Sequence, residues 1–225
     1  MMNFFLGVTN KCNMTCKWCA HQRIRNENPT YEMSKEEFFL WQRYTKKASY
    51  QFNTICIMGF GEPTCYSDVD FLKYILISSR SFSRQIELLS NGKNVRILKE
   101  LVKHCDIINI SVWDDIDNEL LELSKQYKQI HFRTNIKLHD VSTKYTEIES
   151  NEYSKCGCSG CGYSMNTVFL ACGTWSPEIV KNGIYHSELK DYYLDKLDIN
   201  YGYTAYEMCK RCHANTSIPY KLFNK

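Results

Sequence analysis

Five short apolar runs between residues 3 and 138 are separated by four stretches of helical period, and that alternation leaves few folds open. The runs are "NFFLGV" (3–8), "NTICIMGFGEPT" (53–64), "QIELLSNG" (85–92), "DIINISVW" (106–113) and "QIHFRTNIKL" (129–138). Between them lie "MSKEEFFLWQRYTKKA" (33–48), "DVDFLKYILISSR" (68–80), "NVRILKELVKHC" (94–105) and "IDNELLELSKQY" (116–127). The first helix opens on a capping box, Ser34 with Glu37, and carries Phe38, Leu40, Trp41 and Tyr44 as its apolar stripe. Runs this apolar read as strands buried on both faces, and strands joined through helices run parallel. Right-handed crossovers then curl the repeats into part of a barrel, with function at the C-terminal ends of the strands. Each run does end in polar, loop-like residues: a cysteine loop, "GFGEPT", "SNG", "SVWDD" and "RTN". No clear sixth strand follows; "VSTKYTEIE" (141–149) fits poorly.

Beyond residue 150 the character changes to cysteine-rich turns, a hairpin-like stretch "YSMNTVFLACG" (163–173) and a polar, tyrosine-rich tail. This places a boundary near 150, giving a barrel domain (1–150) and a smaller second domain (151–225). The 44% share of apolar residues is enough for a core without a metal to staple it. Lys and Arg number 28 against 25 acids, without basic runs, which argues against a nucleic-acid binder. No apolar stretch is long enough to cross a bilayer, and "MMNFFLGVTN" has neither the basic start nor the cleavage site of a secretory signal. The chain therefore reads as cytoplasmic. Its 12 cysteines are then a candidate metal framework rather than a disulfide one. Cys12, Cys16 and Cys19 form one group, and Cys156, Cys158, Cys161, Cys172, Cys209 and Cys212 another. Cys56 and Cys105 read as buried small residues. The tail tyrosines (192–206) read as packing residues, and Asp114 and Asp115 as either substrate-facing acids or a solvated helix cap.

The first group, "CNMTCKWC" (12–19), follows the first strand directly. Three thiolates suit a soft metal but leave a tetrahedral ion one ligand short. His21 could supply the fourth ligand to a structural zinc ion, and a zinc-binding, non-enzymatic module is one reading. The C-x3-C-x2-C spacing with an aromatic before the third cysteine also resembles the radical S-adenosylmethionine (radical SAM) superfamily. That resemblance covers residues 3 to 138 and does not rest on one motif. "GFGEP" (59–63) stands at the second strand end, where the family keeps a Gly-Gly-Glu-Pro-like turn, with Phe60 in place of the second glycine. "SNG" (90–92) matches the end of the third strand, Ser111 the fourth, and Arg133 to Asn135 the fifth.

The resemblance implies a partial TIM-like (β/α)5–6 barrel in which Cys12, Cys16 and Cys19 hold a [4Fe–4S] cluster. Its open iron binds SAM, whose reductive cleavage yields a 5′-deoxyadenosyl radical that abstracts hydrogen from a substrate C–H bond. Glu62 would accept from the methionine ammonium, and Gly59 and Gly61 would permit close backbone approach. Ser90, Asn91, Ser111, Arg133 and Asn135 would contact the ribose and carboxylate, and the backbone of Trp18 the adenine. Glu62 could instead simply cap the helix that follows the turn. Cys65, on the expected rim of the site, is a candidate hydrogen donor, or a small rim residue without a role.

The second cysteine group resembles the twitch domain of such enzymes, a hairpin and a Cys-x2-Cys helix around an auxiliary [4Fe–4S] cluster. By that resemblance Cys172, Cys209 and Cys212 are ligands with one of Cys156, Cys158 or Cys161, the hairpin spacing favouring the first two. A zinc ribbon is the competing reading, and the fuller two-cluster SPASM domain requires more cysteines than this tail has. The expected activity is that of an oxidoreductase (dehydrogenase) or epimerase. The substrate is a small polar metabolite, sugar- or aminocyclitol-like, or alternatively a ribosomally made peptide. The chain starts at the first strand with no leader-binding segment before it, which favours the small molecule. An electron donor such as flavodoxin or ferredoxin is the implied partner.

Overall fold

The computed structural model of the chain describes residues 3–16, 30–47, 49, 51–58, 61–112 and 115–134, with short strands at 137–138, 161–165, 168–170 and 218–219. Five parallel strands alternate with four helices. They are β1 (Asn3–Gly7), α1 (Lys35–Lys47), β2 (Phe52–Met58), α2 (Val69–Ser79), β3 (Ser83–Ser90), α3 (Val95–Leu101), β4 (Ile107–Ser111), α4 (Asn118–Gln126) and β5 (Ile130–Arg133). After them come β6 (Lys137–Leu138), β7 (Cys161–Met165), β8 (Val168–Leu170) and β9 (Ile218–Pro219). The main sheet runs β5-β4-β3-β2-β1-β7-β8, with β7 parallel to β1 and β8 antiparallel to β7.

Local chemistry explains the helix starts. The backbone N–H of Glu37 donates to Ser34 Oγ at 3.2 Å, and that of Ser34 donates to the Glu37 carboxylate at 2.5 Å, so the expected capping box is closed. Asp68 accepts from the Phe71 N–H at 2.9 Å and Asp117 from the Glu119 N–H at 2.7 Å, each satisfying an orphan donor of its helix. Of the expected stripe on α1, Phe38 and Trp41 are buried and stack at 5.5 Å, while Leu40 is half-buried. The Tyr44 side chain lies outside the described residues.

Two expectations change. The run at 129–138 is not one strand: β5 stops at Arg133, and Lys137–Leu138 pairs antiparallel with β9 instead. The exposed polar residues Arg133 and Thr134 interrupt the apolar run, and Arg133, opposite Ser111, is the last to pair. The strands are also not buried on both faces. Leu6, Ile57, Leu88 and Ile108 lie in register on one face, fully covered by the helices and sharing a core with Leu72, Ile75, Leu98 and Leu101. On the opposite face Phe5, Met58, Glu87, Leu89 and Asn109 are only half-buried. That is the pattern of a sheet with one packed face and one face lining an interior.

The hairpin read at 163–173 forms as β7 and β8, closing at the Met165–Val168 pair, and it continues the sheet beyond β1. At the far end of the strands, Arg80 holds both carboxylate oxygens of Asp106 (3.0 and 2.9 Å) and donates to the His104 carbonyl at 3.0 Å. Asp106 in turn accepts from the Ile86 N–H at 2.7 Å, tying β3 to the start of β4. Cys56 and Cys105 are buried as expected.

Candidate cofactor site

Every side chain read as cofactor-binding, where described, sits at the C-terminal edge of the parallel strands. The chain leaves β1 into the cysteine loop, and residues 30–33 come back to where it began. The Asn10 side chain accepts from the Tyr31 N–H at 2.7 Å, the Met33 N–H donates to the Val8 carbonyl at 2.8 Å, and Thr9 Oγ1 donates to the Tyr31 carbonyl at 3.0 Å. Lys11 closes the same junction, pairing with Glu32 at 3.0 Å and donating to Ser67 Oγ at 2.7 Å. The loop is thus pinned at both ends.

The turn after β2 is pressed against this loop. The Gly61 N–H donates to the Thr9 carbonyl at 3.1 Å and the Glu62 N–H to the Lys11 carbonyl at 2.7 Å. A Cβ at Gly61 would stand 1.9 Å from the Lys11 oxygen, so only glycine allows the approach. Glu62 itself is 3% exposed. Its Oε1 accepts from the Thr64 N–H (3.1 Å), Thr64 Oγ1 (2.8 Å) and Ser90 Oγ (2.8 Å), and its Oε2 from the Asn91 N–H at 2.6 Å. The carboxylate therefore caps the one-turn helix Pro63–Cys65 and ties the turn after β2 to the end of β3, whereas the helix after the turn, α2, is capped by Asp68 and not by Glu62. Burial pushes its pKa up, against the opposing pull of the bonds from Asn91, Ser90 and Thr64. Among the described residues no cation pairs with it.

Asn91 carries the connection back to the cysteine loop. Its side-chain amide donates to Asn13 Oδ1 at 2.8 Å and lies 4.0 Å from Cys12 Sγ. Gly92 makes the turn possible with φ +75. Cys65 ends the same helical turn and is half-buried. Burial, and then the Glu62 charge, raises its thiol pKa. Ser111 and Arg133 lie side by side at the ends of β4 and β5.

The structure thus brings together Cys12, Gly61, Glu62, Cys65 and Asn91, with Ser90 turned to Glu62. Cys16 is half-buried on the same loop. Trp18, Cys19, His21, Gly59, Phe60, Asp114 and Asn135 lie outside the described residues, as do Cys156, Cys158, Cys172, Cys209 and Cys212 and the tail tyrosines, while Cys161 starts strand β7. Among the described residues no group of three ligands forms a metal site. The chemistry of the loop nevertheless suits an iron–sulfur cluster, with two thiols held on a pinned loop, and the buried Glu62 carboxylate beside it, without a cation among the described residues, suits a positively charged ligand group. Thr64, Asn13 and Thr9 were not singled out from the sequence. Thr64 had a readable signal, a hydroxyl two residues past an acid at a turn.

The sequence matches the radical SAM superfamily over residues 6–144. The chain belongs to that superfamily, which implies a [4Fe–4S] cluster and SAM. Residues 123–220 also match a family described as "Uncharacterized protein conserved in bacteria (DUF2225)". No curated protein matches the sequence. Among solved structures, BtrN in complex with AdoMet and 2-DOIA is similar with a TM-score of 0.62 at 13% identity, over 96% of this chain and 90% of that one. Histidine-tagged anSMEcpe with bound AdoMet gives 0.44 at 18% identity, over 58% of this chain and 42% of that one. HydG, a maturase of the [FeFe]-hydrogenase, gives 0.37 at 16%, over 49% and 25%. The likeness to BtrN shows the fold, that of a radical SAM partial barrel.

Proposed function

We propose that this radical SAM enzyme acts on a small polar metabolite, sugar- or aminocyclitol-like, which it oxidises or epimerises after abstracting hydrogen from a C–H bond. Cys12, Cys16 and Cys19 would hold the [4Fe–4S] cluster. Bound there, the cluster supplies the electron that opens the sulfonium C–S bond of SAM and the site that chelates its amino-acid end.

The chain's own residues orient the cofactor. The observation that carries this reading is Glu62, a buried carboxylate with four donors, no cation among the described residues, and backbone contact with the cysteine loop. Its Oε2 receives one bond and keeps a lone pair for the methionine ammonium, which would supply the missing positive charge. Asn91, fixed by Asn13, would stand between that group and Cys12, while Ser111 and Arg133 would meet the carboxylate and ribose. The small-molecule class is supported by the likeness to BtrN, whose structure holds 2-DOIA, over nearly the whole of both chains. An auxiliary [4Fe–4S] cluster on Cys172, Cys209, Cys212 and one of Cys156, Cys158 or Cys161 would accept an electron, which favours oxidation over hydrogen return by Cys65.

The test is anaerobic reconstitution, reduction and assay of 5′-deoxyadenosine. The wild type should form it, and Cys16→Ala should not. Zinc as the only bound metal, with no SAM cleavage by the wild type, would sink the reading.

A further inference from the structure

Beneath the strand-end residues assigned to the cofactor, the half-buried face of the sheet carries further polar side chains, Glu87, Asn109 and His131. In register, its inward rows read Cys56–Glu87–Ile107, then Met58–Leu89–Asn109–His131, then Asn91–Ser111–Arg133 at the strand ends. Barrel interiors are usually filled by layers of branched apolar side chains. Here a carboxylate stands mid-strand on β3 and accepts from the Asn109 side-chain amide at 2.6 Å. Burial first, then the Glu87 charge, raises the Cys56 thiol, while Arg133 pulls it the other way. Both charges therefore act on the same inner side of the sheet.

Three features argue for a ligand rather than a self-contained pair. A single amide donor leaves acceptor capacity on a carboxylate that has room for about four bonds. Among the described residues Glu87 has no ion-pair partner, and its side-chain partner there is the neutral Asn109 amide. The third is depth: one inward row corresponds to about 7 Å along a strand. The Glu87–Asn109 pair thus lies between one and two rows beneath the Asn91–Ser111–Arg133 rim, a depth on the scale of one six-membered ring. His131 is exposed beside Asn109, on the open side toward β5.

We propose that Glu87, oriented by Asn109, is the specificity-determining anchor of the substrate, and that it selects a small polyhydroxylated molecule bearing an ammonium group. This rests on the proposal that the chain is a radical SAM enzyme acting on a small polar metabolite. The ammonium pairs with Glu87, which has no ion-pair partner among the described residues, and the ring stands upright between this floor and the cofactor at the rim.

The reconstituted full-length enzyme with SAM tests it, through the rate of 5′-deoxyadenosine formation with glucosamine against glucose and with inosamine against inositol. At least one aminated compound should accelerate cleavage, at a half-saturating concentration at least tenfold below that of its hydroxyl counterpart. In Glu87→Gln that preference should collapse to within about threefold, since a charge-assisted bond is worth roughly ten- to a hundredfold. Glu87→Asp, which keeps the charge, should retain the preference. Asn109→Ala should raise the half-saturating concentration of the aminated compound. No acceleration by any of the four compounds, or an unchanged preference in Glu87→Gln, overturns the inference. An enzyme that forms no 5′-deoxyadenosine with or without these compounds instead fails the radical SAM reading itself. A thermal transition measured on each variant separates a binding defect from misfolding, and a Glu87→Gln protein that folds only with a filled site still has to lose the preference that Glu87→Asp keeps.

Discussion

Replacing Glu62 by glutamine removes one charge and keeps the shape, and the geometry says where the damage falls. Three donors converge on Oε1, two of them hydroxyls that can rotate, so the amide oxygen belongs there. The amide nitrogen is then forced to the Oε2 position, where it faces the Asn91 N–H that now sits at 2.6 Å. Donor meets donor, and a buried N–H left without an acceptor costs about 1–3 kcal/mol. Relief from burying a charge offsets part of that in the cofactor-free protein, so its stability should move little. SAM binding has no such offset. It loses a charge-assisted hydrogen bond worth about 1.5–3 kcal/mol, or roughly ten- to 150-fold in affinity, and displacement of Asn91 adds to the loss.

A pH series sharpens the test. Burial raises the Glu62 pKa, so as pH rises through that raised value the cofactor-free fold must carry an unpaired buried anion and loses stability. An ammonium favours the ionised form, so SAM affinity should climb over the same window above the usual carboxylate range. The assay is equilibrium binding of SAM to reconstituted protein, with iron content measured alongside. Glu62→Gln should bind weakly, show no such climb, and keep its iron. Normal affinity in Glu62→Gln would refute the role of the carboxylate and leave it a turn-forming residue.

Two further outcomes follow from the same site. Gly61→Ala drives a methyl into the Lys11 carbonyl and breaks two backbone bonds to the cysteine loop, which should cost about 2–5 kcal/mol; an unchanged urea midpoint would contradict the contact. Replacing Cys12, Cys16 and Cys19 together by alanine should leave about four irons per reconstituted chain if the C-terminal cysteines hold a cluster, whereas a colourless protein with one zinc would make that region a zinc-stapled cap.

The helix starts and the positions of the five parallel strands were legible because their causes are local. Ser34 with Glu37, Asp68 and Asp117 announce their helices within four residues, and the short apolar runs announce the strands. The contents of the site were legible only where a motif names them, as with Glu62 and Asn91. What Glu62 does with its two oxygens was not, since its partners at Thr64, Ser90 and Asn91 meet it only once β2 and β3 lie side by side. The half-open inner face escaped for a related reason. Glu87 in "QIELLS" and Asn109 in "DIINIS" break their apolar runs every second residue, which is a visible sign of two unlike faces. Their meeting at 2.6 Å depends on the register of β3 with β4, which no single stretch encodes. The split of 129–138 turned on pairing with β9, some eighty residues further along the chain.

The position of β1 also sets a timetable. It is made first, yet it lies inside the sheet, with β2 on one side and β7 on the other. Its second neighbour, Cys161–Met165, is synthesised more than 150 residues later. At about 5–20 residues per second, a growing chain holds that edge open for roughly 10–30 s after β1 leaves the ribosome. The strand carries Phe4, Phe5 and Leu6, and an unpaired edge of this kind is a template for joining another chain. Until the hairpin arrives, that edge is open to pairing with the same strand of a neighbouring chain.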